Sequence, residues 1–324
     1  MTDASWAPGD RRLQRFLADY GQEIVVLLSI VALFVIVGAV NPRFLSDTNI
    51  NSIIAGNAYI AVAAIGMSMV IISGHIDVSV GSLIGVIATI AGTLAVNDYP
   101  IVVAWIVPVI FAVVVNAGVG ALVAYMRIPS IVVTLGMLSI LKGGLISATA
   151  GAWITDLPQG FMIAQGRIVG IPVPVYFMIV LTIIAACFMK YTDFGRAIYA
   201  VGGNGEAARA AGVDPERTVV GVFALHGLFA GIAGLLFATQ LQVIQSTVPP
   251  NLELTVITAS VIGGVSILGG TGTVIGSTLA AILFATIGSA LIFLNVSAYW
   301  LRAVLGLMIL ATVLADLVRR RRAA

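Results

Sequence analysis

Few side chains in this sequence can do chemistry, because 60% of its 324 residues are hydrophobic and only 9% are charged. The stretch SGHIDVSVGS, residues 73–82, places His75 and Asp77 among glycines and serines between two apolar runs. A charge at the centre of a bilayer costs at least ~2.5 kcal/mol, so an ionised side chain at that depth needs a partner or water. Lys142 lies in another apolar run, where it could pair with Asp77 or reach toward the membrane interface.

Enzymatic chemistry has little support in the composition. The two histidines, His75 and His226, are far apart in sequence and have no companion cysteine cluster, which predicts no metal site. No Gly-x-x-x-x-Gly-Lys-Ser/Thr motif occurs, so we expect the chain to bind no nucleotide of its own. Cys187 is the single cysteine, which excludes an intrachain disulfide. We therefore expect no catalytic residue, no cofactor, no metal and no nucleic-acid partner.

The elements that must position these side chains are about ten apolar runs. The charged fraction is far below the ~25% that is usual in soluble domains, and a bilayer crossing takes ~20 apolar residues. The predicted fold is all-α, a polytopic integral membrane helical bundle of about ten transmembrane helices with two interrupted or re-entrant helix pairs. The predicted spans are 23–40, 53–73, 78–96, 101–125, 130–150, 173–190, 218–238, 253–268, 272–294 and 300–318.

Charge placement predicts the domain limits and the orientation. Basic residues before the first span, between the sixth and seventh spans and after the tenth are all separated by an even number of helices, so all three segments can lie in the cytoplasm. We expect a cytoplasmic N-terminal segment (1–22), a single transmembrane domain (23–318) with a cytoplasmic loop at 192–216, and a basic cytoplasmic tail (319–324). The loops expected outside include 151–172 and 239–252. Glu253 and Arg302 are expected at helix starts on the outer side, facing water.

Two of the helix pairs, 53–96 and 253–294, are interrupted by small and polar residues. The first contains SGHIDVSVGS and the second contains VIGGVSILGGTGTVIGS. Discontinuous helices in corresponding halves of a chain indicate a substrate path, because irregular backbone at membrane depth persists only where protein or water surrounds it. Two ordinary turns between helices remain the alternative. Gly227, Gly231 and Gly234 share a helix face elsewhere, which predicts close helix packing.

The polar loop at 192–216 predicts a short helix with an unusual surface. Asn204 is placed to cap it, Glu206 lies near its positive end, and Gly212 is a suitable residue to end it. Its alanine-rich surface offers almost no side chains for chemistry. It therefore predicts either a three-turn helix that enters a groove on another protein or a plain connecting helix.

Five motifs resemble one known family. Glu206-Ala207-Ala208 followed by Gly212 resembles the Glu-Ala-Ala-x-x-x-Gly loop of bacterial binding-protein-dependent ABC importers. SGHIDVSVGS is similar to the Gly-Gly-Ile-Asp-Leu-Ser-Val-Gly signature of the ribose, xylose and arabinose permeases in that group. NPRFLSDTNI, IPSIVVTLGML and IGGVSILGGTGTVIGS match the same family in the same order, from about residue 24 onward. His75 and Val78 depart from the signature, which has glycine and leucine there.

The resemblance implies the permease subunit of an ATP-driven importer of a monosaccharide or related polyol in the bacterial inner membrane, with both termini cytoplasmic. Its implied partners are an ABC ATPase subunit, a periplasmic substrate-binding protein, the lipid bilayer and a second permease subunit, for which we favour a homodimer over a heterodimer. The residues implied for coupling to the ATPase are Gly203, Asn204, Glu206, Ala207, Ala208, Arg209 and Gly212. Those assigned to the translocation path are Ser73, Gly74, His75, Asp77, Ser79, Gly81, Lys142, Gly269 and Gly270.

Two alternatives stay open. An ion-coupled secondary transporter would use Asp77 and Lys142 as a relay. An ABC permease could instead carry another small polar solute, such as an autoinducer furanone, a nucleoside or a branched-chain amino acid. His75 could narrow the path, donate a hydrogen bond to a polyol, or sit on a packed face.

Overall fold

Helices make up most of the protein in this computed structural model, which describes residues 8–297, 299–301, 303–304, 306–308, 310–311 and 314, with side chains from residue 21. Twelve α-helices lie between residues 8 and 293: α1 Pro8–Val40, α2 Asp47–Gly56, α3 Ala58–Ile72, α4 Val80–Val96, α5 Ile101–Met126, α6 Ser130–Thr149, α7 Val173–Tyr191, α8 Asp193–Gly203, α9 Gly205–Ala210, α10 Pro215–Thr239, α11 Leu252–Ile262 and α12 Val274–Phe293. Four two-residue strands are β1 Trp153–Ile154, β2 Arg167–Ile168, β3 Ile171–Pro172 and β4 Ile244–Gln245. β1 pairs antiparallel with β4, and β2 with β3.

Seven helical segments in the described residues are long and apolar enough to cross a membrane. They are the end of α1, α2 with α3, and helices α5, α6, α7, α10 and α12; α4 and α11 are apolar but shorter. Every predicted span from 23–40 to 272–294 falls on one or more of these helices. Within the tenth span, 300–318, the described residues 300–301, 303–304, 306–308, 310–311 and 314 are helical, and the tail at 319–324 lies outside the described residues. The all-α membrane bundle is therefore confirmed, and the count of ten stays a prediction.

Helix α3 forms the centre of the bundle. Every residue in it except Tyr59 is buried, so it is apolar and enclosed on all sides, as expected of a helix with no solvent-facing stripe. Helix α10 packs against α3, α4 and α5, and α12 packs against α3. Many large side chains on α5, α6 and α7 are instead exposed, which is the arrangement expected of helices that face lipid on one side.

The glycines of α10 let neighbouring helices approach, as the sequence predicts, but on two sides. A Cβ on Gly227 would lie 2.5 Å from the Ala112 carbonyl oxygen on α5. A Cβ on Gly234 would lie 2.6 Å from Ile87 on α4. The stripe therefore serves close packing to two helices, and α10 becomes the column against which α4 and α5 are aligned.

Candidate functional site

The first interrupted pair is α3 and α4, joined by residues 73–79, here called the first break. Gly74 has φ +88°. The His75 N–H donates to the Val70 carbonyl at 3.1 Å, and the Gly74 N–H donates to the Ile71 carbonyl. This is the left-handed glycine ending that stops a helix by capping its free carbonyls. α3 therefore ends because a glycine and a serine follow its last apolar turn.

The second interrupted pair, α11 and α12, is joined by residues 263–273, here called the second break, and it begins in the same way. Gly264 has φ +98°, and the Val265 N–H donates to the Ser260 carbonyl at 3.2 Å. Thr273 then caps α12 by accepting a hydrogen bond from the Gly276 N–H. The two breaks thus share one local geometry in the two halves of the chain.

Asp77 is the polar centre of the first break and is fully buried. Its Oδ1 accepts hydrogen bonds from the Ser79 N–H at 2.7 Å and the Ser79 hydroxyl at 2.6 Å. Its Oδ2 lies 3.3 Å from Nε2 of His226 on α10, which is also fully buried. The serine turn supplies hydrogen bonds to Oδ1, and the histidine supplies a close electrostatic contact to Oδ2, which has no hydrogen-bond partner among the described residues.

His226 was missed as a partner of Asp77 by sequence reasoning, which weighed it only as a metal ligand. The pair of Asp77 with Lys142 does not form: Lys142 is exposed on α6, and among the described residues it makes no ion pair. The one available signal was that a histidine inside an apolar helix must itself find a polar partner.

Helix α6 holds the rest of the first break. The Ile76 N–H donates to the Ser130 hydroxyl at 3.1 Å, and the Thr134 hydroxyl donates to the Ile76 carbonyl at 3.4 Å. His75 is partly exposed, with Nδ1 3.0 Å from the Ser73 carbonyl oxygen and its ring edge-on to Phe223. The break is therefore fastened to both α6 and α10.

The two breaks meet at what we call the glycine junction, formed by Gly74, Gly202, Gly269 and Gly270. The Gly270 N–H donates to the Ile72 carbonyl at 2.8 Å, and a Cβ on Gly269 would lie 3.0 Å from the Gly74 Cα. Gly202, at the end of α8, packs so closely that a Cβ there would overlap the Ile72 carbonyl oxygen. The chain just before the predicted coupling residues therefore touches both breaks through backbone atoms.

Helix α9 carries most of the predicted coupling residues. Asn204 caps it by accepting from the Ala207 N–H at 3.0 Å, and Gly212, with φ +87°, follows its end. Both expected ends are confirmed, but the helix has six residues rather than three turns. Glu206 and Ala207 are exposed, whereas Ala208 is buried. The face of α9 that carries Glu206 and Ala207 is therefore exposed.

The start of α10 fixes the position of α9. Arg209 forms an ion pair with Glu216, and this hydrogen bond raises the pKa of Arg209. Asp214 caps α10 by accepting from the Arg217 N–H at 3.0 Å, which holds the pKa of the Asp214 carboxyl below its ordinary value. α9 is thus tied to the helix that carries His226.

A cavity of about 540 Å³ lies beside the first break, at the same end of the bundle as α9. Its wall includes Ser73, His75, Arg127, Ser130 and Glu216. His75 therefore packs against Phe223 and also lines this open space.

This architecture is that of a multi-pass helical membrane protein, in which two helix breaks contact the end of α8 directly before the short helix α9. The chain belongs to the family described as branched-chain amino acid transport system / permease component, whose model matches residues 49–313, and this family contains the permeases of sugar-type ABC importers. The resemblance found in the motifs is confirmed, and the chain is a permease subunit of an ABC importer in the inner membrane.

Named relatives cover nearly the whole chain. It is similar to the autoinducer 2 import system permease protein LsrC of Salmonella typhi, with 37% identity over 91% of this chain and 85% of the relative. LsrC of Shigella flexneri is 35% identical and LsrC of Escherichia coli (strain K12 / DH10B) 34% identical, each over 91% of this chain and 86% of the relative. No solved structure matches the chain.

Proposed function

We propose that this permease moves a monosaccharide or a sugar-like polyol such as autoinducer 2 across the inner membrane, driven by a separate ATPase subunit that binds the exposed face of α9. The observation that carries this proposal is the glycine junction, which connects the segment entering α9 directly to both helix breaks. Names of relatives at 37% and 34% identity support autoinducer 2 as the first solute to test.

The proposal assigns an orientation and partners. Lys190, Arg196, Arg209 and Arg217 lie at the end of the bundle that carries α8 and α9, so this end faces the cytoplasm by the positive-inside rule. The proposal also assigns both termini and the basic tail to the cytoplasmic side. A periplasmic binding protein delivers the solute at the opposite end, and a second copy of this chain completes the membrane unit.

Reconstitution tests this function against ion-coupled transport. Liposomes containing this chain, its ATPase and its binding protein are expected to take up labelled autoinducer 2 or D-ribose only when ATP is supplied. Liposomes containing this chain alone, under a proton or sodium gradient, are expected to show none. Uptake by the chain alone would instead establish a secondary transporter.

The coupling role of α9 predicts a large effect at Gly212. We expect Gly212→Val to lower uptake about tenfold, because a β-branched residue at φ +87° strains the end of α9 by ~1–2 kcal/mol and shifts its exposed face. ATP hydrolysis should continue without its dependence on the loaded binding protein. Uptake and hydrolysis are measured on the same proteoliposomes.

Ala211→Val is the matched control for Gly212→Val. Ala211 is also exposed and follows α9, but its φ of −84° accepts a branched side chain. Wild-type uptake by Gly212→Val, or an equal loss in both variants, would remove the coupling role from this segment.

A further inference from the structure

The chain between α10 and α11, residues 240–251, lies within the predicted outer loop 239–252 and packs along α4. A Cβ on Gly92 would lie 2.6 Å from the Ile244 side chain, and one on Gly85 would lie 3.2 Å from the Val248 Cα. Near the beginning of α4, a Cβ on Gly81 would lie 2.5 Å from Glu253 Oε2. The segment therefore descends along one glycine face of α4 from its end to its first turn.

The depth of Glu253 follows from the contacts of α4 with α10. His226, which contacts Asp77 just before α4, is the twelfth of the 25 residues of α10. Gly234 of α10 lies beside Ile84 and Ile87. Gly81, and Glu253 beside it, therefore lie at the level of α10 between His226 and Gly234. At a rise of 1.5 Å per residue, this level is roughly 8–20 Å below the outer end of α10 at Thr239.

Most of the exposed side chains of this descending segment are polar, and Val243 and Pro250 are the exposed apolar ones. Ile244 and Ser246 are buried, while the alternate residues Gln245 and Thr247 are exposed, and Asn251 is exposed further along. The Ser246 hydroxyl is fully buried and has no hydrogen-bond partner among the described residues. Irregular backbone with polar side chains at this depth is stable only where it lines water or protein, since lipid satisfies neither.

A cavity lies above the start of this segment. It measures about 550 Å³ and is lined by Gln240 and Leu241 together with polar residues of α2, among them Asn51 and Ser52, and by Gln165. The polar segment thus begins at an opening on the end of the bundle opposite α9. From Gln240 and Leu241 at this opening, the segment continues along α4 to Glu253 at the start of α11.

We propose that residues 240–253 line the solute path and that Glu253 is its specificity-determining residue, taking a neutral polyhydroxylated solute. The inference rests on the proposed transport function and adds the place and chemistry of recognition. The partly exposed Glu253 carboxylate accepts hydrogen bonds from solute hydroxyls. The exposed amides of Gln245 and Asn251 and the Thr247 hydroxyl, on the same segment, complete such a site. Arg167 and Asp47 both line the cavity at the entrance. Below it, residues 240–262 contain no lysine or arginine, so an anionic solute finds no cation on this wall and meets the Glu253 charge.

Thiol labelling in membrane vesicles containing the complete importer tests the path without any assumption about cargo. In a Cys187→Ser background, Thr247→Cys is expected to react with hydrophilic thiosulfonate reagents. Val114→Cys, on an exposed apolar face of α5, is the control that should stay unlabelled. Failure of Thr247→Cys to label would assign this wall to lipid or to a packed interface and overturn the path.

The charge of the reagent tests Glu253. Gly81 and Gly85 are one turn apart, so Thr247 and Glu253 are neighbours along α4. We expect a cationic thiosulfonate to label Thr247→Cys on the order of fivefold faster than an anionic one, and Glu253→Gln to remove this preference. Equal rates before the substitution would remove Glu253 from the path.

Transport separates this inference from the proposed function. With autoinducer 2 and D-ribose as probes, Glu253→Gln is expected to lower uptake and Glu253→Asp to recover part of it. If the wild-type importer moves neither probe while labelling behaves as expected, the cargo assignment fails and the path stands. If Glu253→Gln leaves uptake of both probes unchanged, the specificity role fails while the importer stands.

Discussion

Replacing Gly202 with alanine is expected to reduce solute uptake on the order of tenfold while ATP hydrolysis by the assembled importer continues. The added methyl group would overlap the Ile72 carbonyl oxygen and lie 2.9 Å from the Gly270 nitrogen, the two atoms that hydrogen-bond across the breaks. α8 would have to move away from both breaks to accept it. A movement of α9 would then no longer be transmitted to the two breaks.

Gly203→Ala is the matched control, because the adjacent glycine also ends α8 but has no atom within 4 Å of the place its Cβ would take. Tyr199→Phe provides a milder test of the same contact, since it removes only the hydrogen bond from the Tyr199 hydroxyl to the Gly272 carbonyl at 2.8 Å. Uptake per ATP hydrolysed and the amount of folded importer are measured for all three. Equal uptake by Gly202→Ala and Gly203→Ala would show that the junction transmits nothing.

Features decided by local sequence could be predicted from it. Long apolar runs predicted the helices because backbone groups in lipid must bond within their own segment. The ends of α9 followed from Asn204 and Gly212, whose roles depend on their own φ and side-chain geometry. Gly74 and Gly264, the left-handed glycines at the two breaks, likewise end their helices through their own backbone conformation.

Features decided by packing could not be predicted in this way. Asp77 and His226 are separated by 149 residues, and which helix face meets the first break depends on how α10 packs against α3. The descent of residues 240–251 depends on glycines of α4 that lie far away in sequence. Its only local signal was the absence of charge and the alternation from Ile244 to Thr247.

The buried pair of Asp77 and His226 leads to the other prediction with a large effect. Breaking a buried pair by removing one partner is destabilising by about 3–5 kcal/mol, because the remaining group keeps its desolvation cost without compensation. We expect His226→Leu to lower the free energy of unfolding by about this amount, since it leaves the Asp77 carboxylate with only the Ser79 hydrogen bonds.

Asp77→Asn should change the free energy of unfolding with opposite signs in the wild-type chain and in the His226→Leu variant. In the wild-type chain it removes the charge that faces His226 and destabilises, whereas in His226→Leu it removes an unpaired buried charge and restores stability. The amide oxygen can still accept from the Ser79 N–H, so the turn of the first break is retained. A double-mutant cycle on detergent-solubilised protein, followed by reversible unfolding, measures the interaction free energy directly.

His75→Leu is the matched control for this cycle, because His75 belongs to the same break but is partly exposed and contacts a carbonyl oxygen rather than the carboxylate. Its effect should be about 1 kcal/mol, the usual net value of one hydrogen bond, and should add to that of Asp77→Asn. Strict additivity between Asp77→Asn and His226→Leu would contradict the pair. The first break would then depend on its serine turn and on α6 alone, and α10 would have no polar hold on the segment that joins α3 to α4.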